Sequence, residues 1–503
     1  MRFFVVAAAV AVVAVPGAAA RGTARPVLLG YGPAAVSPNG NGVHDTLTLR
    51  VRAGGPVDLR AYVWGGRLHG WREVRTTGAL SWTPSALGDG TYLVTVCYKD
   101  AGRPLPPVIP PARQRPGPAE ATVSRPPWRL SGCLARPRVV RVERLAAYVD
   151  STGSFEPGSR PPLVVSADRG QATVELEQDC SGRRFPDTRG LESGLYHYVV
   201  TDPAGDTFKA PVVIRNGRFP LDRPPPGTAL LVWPYLTWRA YNSYDADLNG
   251  IPDSWYHFWR QRRVSLRGPI LPGGQEDDHQ AALPFSQWLC SRRPRVQSVT
   301  DVELGRLPLS VLRRYGAIVF PGHSEYYEPH TWDLLRSYRD AGGHLVFLQA
   351  NPFYRQVKLV RDRNAMVMTD FDAREGRSDF ALAGVGYDGC CFPPSHAARY
   401  RAATGAAYAR VRWLFRGTGV GPGSSFGYAG SESDRIDPEL TPHDHVVAAE
   451  AIIAGNHGAV NAALVWSRAG RGEVFATGNY DFLRMRRRLT WTLLDNVWRK
   501  LVS

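Results

Sequence analysis

The chain has 503 residues, a formal net charge of +16, and 14 Trp with 21 Tyr. Its length is too great for one hydrophobic core and its aromatic content excludes a largely disordered chain, so we expect about three folded domains. Only four of the 61 cationic residues are lysines, and no arginine run exceeds three residues. Because no nucleic-acid-binding motif accompanies the charge, we interpret it as a solvated arginine-rich surface rather than a nucleic-acid interface.

The first twenty residues predict export. Arg2 precedes an apolar run at residues 3–15, and three small residues end at Ala20. This pattern is typical of a secretory signal peptide (residues 1–20) cleaved near Ala20, and the run is short for a membrane anchor. No later stretch reaches the roughly 18 apolar residues of a spanning helix. We therefore expect a secreted mature chain without a transmembrane segment, with an uncleaved N-terminal anchor as the alternative.

Two β-rich regions follow. In residues 26–101, short alternating runs such as 46–52, 57–63 and 90–96 predict an immunoglobulin-like β-sandwich. Many prolines in residues 102–135 predict a stiff connector. In residues 136–223, further runs of this kind predict a second sandwich.

The pattern changes after the proline triplet 224–226. Apolar runs at 230–233, 317–320 and 344–348 alternate with helical stretches such as 329–341. Such alternation indicates βαβ units around a parallel sheet. We therefore expect residues 224–503 to form an α/β domain.

Six cysteines in an exported chain are expected to form disulfides. Cys97 with Cys133 would staple the first β-rich region, and Cys180 with Cys290 would join the second one to the last domain. The adjacent cysteines 390 and 391 have either separate partners or each other. Spacing alone does not decide the connectivity.

Three segments of the last domain resemble one family. They are Thr-Trp-Arg-Ala-Tyr-Asn at 237–242, Pro-Gly-His-Ser-Glu-Tyr at 321–326 and Ala-Gly-Gly-His-Leu-Val-Phe-Leu-Gln-Ala-Asn at 341–351. In this order they resemble signatures of the N,N-dimethylformamidase large (beta) subunit. The resemblance covers roughly residues 140–503 and implies a three-layer α/β domain with a mainly parallel sheet, similar to class I glutamine amidotransferases.

The resemblance also implies a site. The cysteine that glutamine amidotransferases carry after a strand is replaced here by Ala350 and Asn351, which argues against thiol chemistry. The family instead holds non-haem iron through two tyrosines and a glutamate, and Tyr241, Glu325 and Tyr196 are the matching residues. Hard oxygen donors suit ferric iron. His323 would then carry a proton or stabilise an oxyanion in the hydrolysis of a small amide.

A second metal candidate follows the signature tyrosine. Residues 245–253 carry oxygen donors at alternate positions around Gly250, as in secreted calcium-binding loops. Position twelve is Tyr256, so the bidentate glutamate of an EF-hand is missing. The predicted calcium-binding positions are Asp245, Asp247, Asn249, Ile251 and Asp253.

Two functions are consistent with these patterns. The first is a secreted metal-dependent hydrolase of a small amide or related C–N bond. The second is a non-catalytic secreted or cell-surface protein, with calcium-stabilised loops and a degenerate enzyme domain, whose basic surface binds an acidic cell-surface polymer. In the second case Tyr241 is a packed ring and Glu325 a helix cap.

Overall fold

We describe the fold from a computed structural model. It covers residues 145–502 apart from 168–170, 204, 243–253, 256–262, 271–275, 361–363, 371–376, 393–395 and 456–457. Before residue 145 it describes the backbone of eight strands: β1 (Val27–Gly32), β2 (Ala35–Val36), β3 (Leu47–Arg52), β4 (Leu59–Trp64), β5 (Leu68–Val74), β6 (Thr77–Trp82), β7 (Gly90–Tyr98) and β8 (Arg138–Val142).

These eight strands form two sheets, with the orders β1-β3-β6 and β2-β8-β7-β4-β5. Except for the parallel β2–β8 pair, neighbouring strands are antiparallel. The strands predicted at 46–52, 57–63 and 90–96 correspond to β3, β4 and β7. Strand β8 lies beyond the proline-rich stretch, yet it pairs with β7.

The described part of the second β-rich region contains six strands. They are β9 (Leu145–Val149), β10 (Leu163–Ala167), β11 (Thr173–Gln178), β12 (Arg184–Phe185), β13 (Gly194–Thr201) and β14 (Thr207–Ile214). A two-stranded sheet of β10 and β9 accompanies a four-stranded sheet of order β12-β11-β13-β14. Buried side chains such as Val149, Leu176 and Val212 form a core between them.

The last region contains fifteen strands among its described residues: β15 (Ala229–Trp233), β16 (Arg263–Ser265), β17 (Val296–Thr300), β18 (Ala317–Phe320), β19 (Tyr326–Tyr327), β20 (His344–Phe347), β21 (Arg355–Val360), β22 (Ala365–Asp370), β23 (Gly386–Phe392), β24 (Ala398–Ala402), β25 (Ser425–Ala429), β26 (Ser431–Arg435), β27 (Asp444–Gly455), β28 (Gly458–Ala469) and β29 (Gly472–Ala476). Its helices are α1 (Tyr235–Tyr241), α2 (Glu276–Arg292), α3 (Asp301–Leu304), α4 (Leu309–Leu312), α5 (Pro329–Asp340), α6 (Asp379–Ala383), α7 (Gly405–Val411) and α8 (Arg487–Leu501), with a 3₁₀ turn at Phe482–Arg484.

The main sheet has nine strands in the order β17-β15-β18-β20-β29-β28-β27-β24-β25. The first five are parallel, as the alternating pattern predicted. The other four pairings are antiparallel, so the expectation of a mainly parallel sheet was wrong and the sheet is mixed. The reason is connection length: only two residues separate β28 from β29, and so short a link returns the chain antiparallel.

The parallel strands are buried on both faces. Along β18, Val319 belongs to the core on one face, while Ile318 and Phe320 belong to the core on the other. Continuous apolar runs, rather than alternating ones, are typical of such strands. Gly342, with φ +107°, stands just after α5 in a left-handed conformation, which is a common way for a helix to end.

The second β-rich region is joined to the last one covalently and by packing. A disulfide links Cys180 to Cys290 on α2, with their Cα atoms 6.3 Å apart, which confirms this predicted pair. Leu195 and Val213 pack in one cluster with Trp233 and other side chains of the last region. Within the described part of the chain, no helix is both long and apolar enough to cross a membrane.

Candidate active site

Helix α1 presents two side chains to one residue. Thr237 and Tyr241 are four positions apart, so they lie on the same face of the helix. The Tyr241 hydroxyl donates to Glu325 Oε2 over 2.7 Å, and the Glu325 backbone N–H donates to Thr237 Oγ1 over 3.1 Å. Helix α1 therefore holds Glu325 by both its side chain and its backbone.

Glu325 is a buried carboxyl with a cationic partner. Its side chain is 4% exposed, and Oε1 lies 3.0 Å from Arg355 Nε. Burial raises the pKa of the Glu325 carboxyl, because a buried anion loses its hydration, while His323 and Arg355 oppose this rise. The carboxyl is thus held between a phenol on one oxygen and a guanidinium on the other.

A second carboxylate lies beside the nearby histidine. His323 Nε2 lies 3.1 Å from Glu432 Oε2, and the His323 side chain is 1% exposed. The same Glu432 oxygen accepts from the Asn351 side-chain amide over 2.8 Å. The His323 ring centroid is 5.9 Å from that of Tyr241, so the Tyr241–Glu325 and His323–Glu432 pairs are neighbours.

Three non-glycine residues near the site have left-handed backbones. Asn351 has φ +54°, Phe353 +61° and Ser431, beside Glu432, +54°. The Asn351 backbone N–H donates to both carboxylate oxygens of Asp434, each 3.1 Å away. Burial raises the pKa of the Asp434 carboxyl well above its usual range. Strain of this kind costs stability and clusters at functional sites.

Sheet topology explains why these distant residues meet. Strands β15, β18, β20 and β29 are parallel neighbours, and the chain leaves each at the same edge. The segments after these strands carry Tyr241, His323 with Glu325, Asn351 and Tyr480, respectively. Ligand sites of α/β sheets lie at this carboxyl edge of the strands. Glu432 arrives from β26, which bridges to this edge through Ser433 and Asn479.

Aromatic rings surround the polar pairs. The Tyr480 ring meets His323 edge-on at 5.5 Å, and the Tyr326 ring lies 6.3 Å from that of Tyr241. Trp255 packs on Tyr326 at 5.1 Å. These rings exclude water from part of the site, which strengthens its electrostatic interactions.

Tyr196 does not join this group. Its ring is buried in the sandwich core with Leu176 and Val212, and its hydroxyl donates to the Glu192 carbonyl over 3.0 Å. Side chains alternate along a strand, so the neighbouring residue Leu195 points to the opposite face and packs with side chains of helix α1. The structure therefore brings together Tyr241, Glu325 and His323 from the expected set, and leaves Tyr196 apart.

The predicted calcium loop, residues 245–253, lies outside the described residues. Among the residues that are described, no group of three or more His, Cys, Asp and Glu side chains has an arrangement that would hold a metal ion. Calcium binding at this loop stays a prediction.

Several residues of the site had not been identified from the sequence. Arg355, Glu432, Asp434 and Tyr480 contact the site but belong to no local motif. Asn351 was noted as part of a signature, without a role. Its place in the segment directly after strand β20 was the available signal.

The fold and the site define an α/β protein whose sheet edge gathers a tyrosine, a histidine and several carboxyls. The chain belongs to the N,N-dimethylformamidase beta subunit-like family, because the model of that family's C-terminal region matches residues 181–485. This match confirms the resemblance seen in the signatures. No curated protein sequence matches the chain.

Two solved structures illustrate a distant similarity. Gan42B, a GH42 β-galactosidase from G. stearothermophilus, is 13% identical with a TM-score of 0.32, covering 55% of this chain and 30% of that one. The exo-β-1,4-mannosidase Op5Man5 from Opitutaceae bacterium strain TAV5 is 13% identical with a TM-score of 0.26, covering 55% of this chain and 36% of that one. The chain thus spans about a third of each, and TM-scores this low define no shared fold.

Proposed function

We propose that this protein is a secreted amide hydrolase that cleaves the C–N bond of a small amide at the site around Glu325. The observation that carries this proposal is the 2.7 Å hydrogen bond between the Tyr241 hydroxyl and Glu325, beside the His323–Glu432 pair. Acidic, basic and phenolic groups that meet in a buried place can both activate water and protonate a leaving amine. The family match supports amide hydrolysis at the level of the reaction class.

The donor set suits a hard cation such as ferric iron. Tyr241 and Glu325 offer a phenol and a carboxyl oxygen 2.7 Å apart, and both kinds of oxygen are ligands that hard cations prefer. These two residues would hold the metal, and Tyr196 would not, because its hydroxyl is bonded within the sandwich. A bound iron ion would supply Lewis acidity toward the amide carbonyl.

His323 is the residue best placed to move a proton. Its ring is buried between Tyr241 and Tyr480, and the contact with Glu432 holds its orientation. A histidine whose ring is fixed by a carboxylate is the arrangement that general acid–base catalysis uses, because the carboxylate stabilises the protonated ring. We assign His323 the transfer of a proton between water and the departing amine.

Glu432 and Arg355 act through their neighbours. Glu432 is shared by His323 Nε2 and the Asn351 amide, so it positions both side chains. Arg355 lies 3.0 Å from the second oxygen of Glu325, so it favours the ionised form of that carboxyl. Neither residue needs to touch the substrate for these roles.

Two features support export. The first twenty residues have the pattern of a signal peptide. The Cys180–Cys290 disulfide joins parts of the chain 110 residues apart, and such structural disulfides persist mainly in oxidising compartments.

The reaction is tested by incubating the purified chain with N,N-dimethylformamide and other small formamides and acetamides, and by measuring the released amine. We expect amine release by the wild type and its loss, by about 100-fold or more, in Glu325→Gln, since that change removes an anionic ligand and a charge. The control is Glu439→Gln, at an exposed carboxyl away from the site.

Two results would contradict this proposal. A wild type that releases no amine from any of these substrates, with iron supplied, would contradict the hydrolase proposal. The non-catalytic binding protein would then be the better interpretation. Equal activity in wild type and Glu325→Gln would show that the site around Glu325 does not carry out the reaction.

A further inference from the structure

A cavity lies away from the site around Glu325. It has a volume of about 960 Å³, and β25, the turn at residues 417–420 and the start of helix α8 form its walls. None of its lining residues belongs to the Tyr241, Glu325 and Glu432 group. Cavities of this size accommodate ligands as large as a modified sugar.

Three arginines line this cavity: Arg399, Arg486 and Arg488. Among the residues that the structure describes, no aspartate or glutamate lines it. Among the described residues, none of the three arginines has a carboxylate partner within 4.0 Å, whereas nearby Arg484 pairs with Asp481. Three like charges around one concavity, without a carboxylate among them, repel each other, and an anionic ligand would relieve that repulsion.

The start of α8 adds to the positive potential. The helix runs over fifteen residues, its N-cap is Arg486 with no side-chain cap, and its first turn contains no acidic residue. Helix N-termini carry a partial positive charge and normally attract acidic side chains. Exposed arginines stand there instead, so their charge and the helix terminus contribute positive potential on the same side of the cavity.

The remaining walls indicate what the anion would be attached to. Val420, Phe426 and Leu489 provide apolar surface, and Ser424 and Thr492 provide hydroxyls. The Gly417–Gly419 turn, with φ +74° and +77°, keeps one wall free of side chains at those two positions. A cavity lined by arginines together with apolar and hydroxyl side chains fits an anionic group carried by a compact organic body.

We propose that this cavity binds a phosphate- or sulfate-bearing small molecule, with Arg486 and Arg488 holding the anionic group. Guanidinium groups recognise such oxyanions through paired, charge-assisted hydrogen bonds. The free anion and its sugar ester share this chemistry, and the volume favours the ester. This site does not depend on the proposed amide hydrolysis.

The test is calorimetric titration of the full chain at low ionic strength with glucose 6-phosphate, inorganic phosphate, a sulfated monosaccharide and glucose. We expect a phosphate or sulfate probe to bind and glucose not to bind. The double variant Arg486→Gln/Arg488→Gln should weaken that binding at least about 10-fold. The control Arg306→Gln/Arg314→Gln removes the same charge from exposed positions elsewhere and should change it less than about 2-fold.

The other possible outcomes decide whether this cavity is an anion site. Equal weakening in both double variants would mean that only net charge matters, and would overturn the site. Absence of binding by every charged probe at millimolar concentration would overturn it as well. If inorganic phosphate binds as tightly as its ester and only the Arg486/Arg488 variant loses it, the anion site stands and its ligand is the free ion.

Discussion

The Tyr241 hydroxyl and the Glu325 carboxyl meet at 2.7 Å although 84 residues separate them in the chain. Tyr241 ends helix α1 after one parallel strand, and Glu325 follows the next strand in the sheet. Their meeting therefore depends on the order of β15 and β18, and not on a local motif. It is the geometric basis of the proposed chemistry.

A variant of Glu432 tests whether this carboxylate positions His323. Glu432→Gln keeps the shape but removes the charge that orients His323. We expect amide hydrolysis to fall by about 10- to 100-fold, the magnitude typical of residues that orient a functional group. The pH profile of kcat should also shift, because the carboxylate stabilises the protonated histidine. Glu439→Gln, at an exposed carboxyl, should leave both unchanged; an unshifted profile in Glu432→Gln would assign Glu432 a purely structural role.

Asp379 makes a specific prediction about pH. Burial raises the pKa of its carboxyl from 3.8 to about 6. The folded state therefore holds this proton more tightly, and the resulting stability is present below about pH 4 and is lost as the pH rises through about 6. The loss amounts to about 3 kcal/mol at 1.36 kcal/mol per pKa unit.

The measurement is urea unfolding of wild type and Asp379→Asn between pH 4 and 7. The difference in unfolding free energy between the two proteins should change in favour of the variant as the pH rises, because an asparagine side chain does not ionise. A difference that stays constant over this range would show that Asp379 titrates normally. Buried carboxyls whose pKa does not depend on Asp379, such as Asp301, are present in both proteins and cancel.

The Cys180–Cys290 disulfide closes a long loop. Its partners are 110 residues apart, and cross-links over such distances restrict the unfolded chain strongly. We expect Cys180→Ala/Cys290→Ala to lower the unfolding free energy by about 2–5 kcal/mol. Thermal unfolding of wild type and variant under non-reducing conditions checks this, and identical melting would mean that the bond contributes nothing.

The predicted calcium loop can be tested without structural detail. Wild type should melt at a higher temperature when calcium is added, and Asp247→Ala should lose this shift because a ligand is removed. A 100-fold excess over the dissociation constant would stabilise the folded chain by about 2.7 kcal/mol. Magnesium serves as the control cation. If calcium does not shift the wild type, the loop is an ordinary polar turn.

Elements were predictable where local patterns define them. The apolar run at 317–320 and the helix starting at Pro329 appear as β18 and α5, and the parallel half of the sheet follows from their alternation. The antiparallel half was missed, since strands β27 and β28 are paired by a chain reversal that periodicity does not reveal.

The site was predictable only in part, for a similar reason. Tyr241, His323 and Glu325 stand in signatures beside strand ends, whereas Glu432 and Arg355 reach the site through tertiary contacts alone. Tyr196 shows that matching a residue to a family signature does not predict where its side chain lies. Strand alternation places its ring in the sandwich core, while the adjacent residue, Leu195, faces α1.

The most direct test of the account is the metal content and visible spectrum of three proteins after reconstitution with iron: wild type, Tyr241→Phe and Tyr315→Phe. Tyr315 is a matched control, because it is a buried tyrosine whose hydroxyl donates to the Leu221 carbonyl. We predict about one iron per chain and a tyrosinate charge-transfer band in wild type and Tyr315→Phe, and loss of the band with weaker iron binding in Tyr241→Phe. Iron content and colour that are unchanged in Tyr241→Phe would contradict the account.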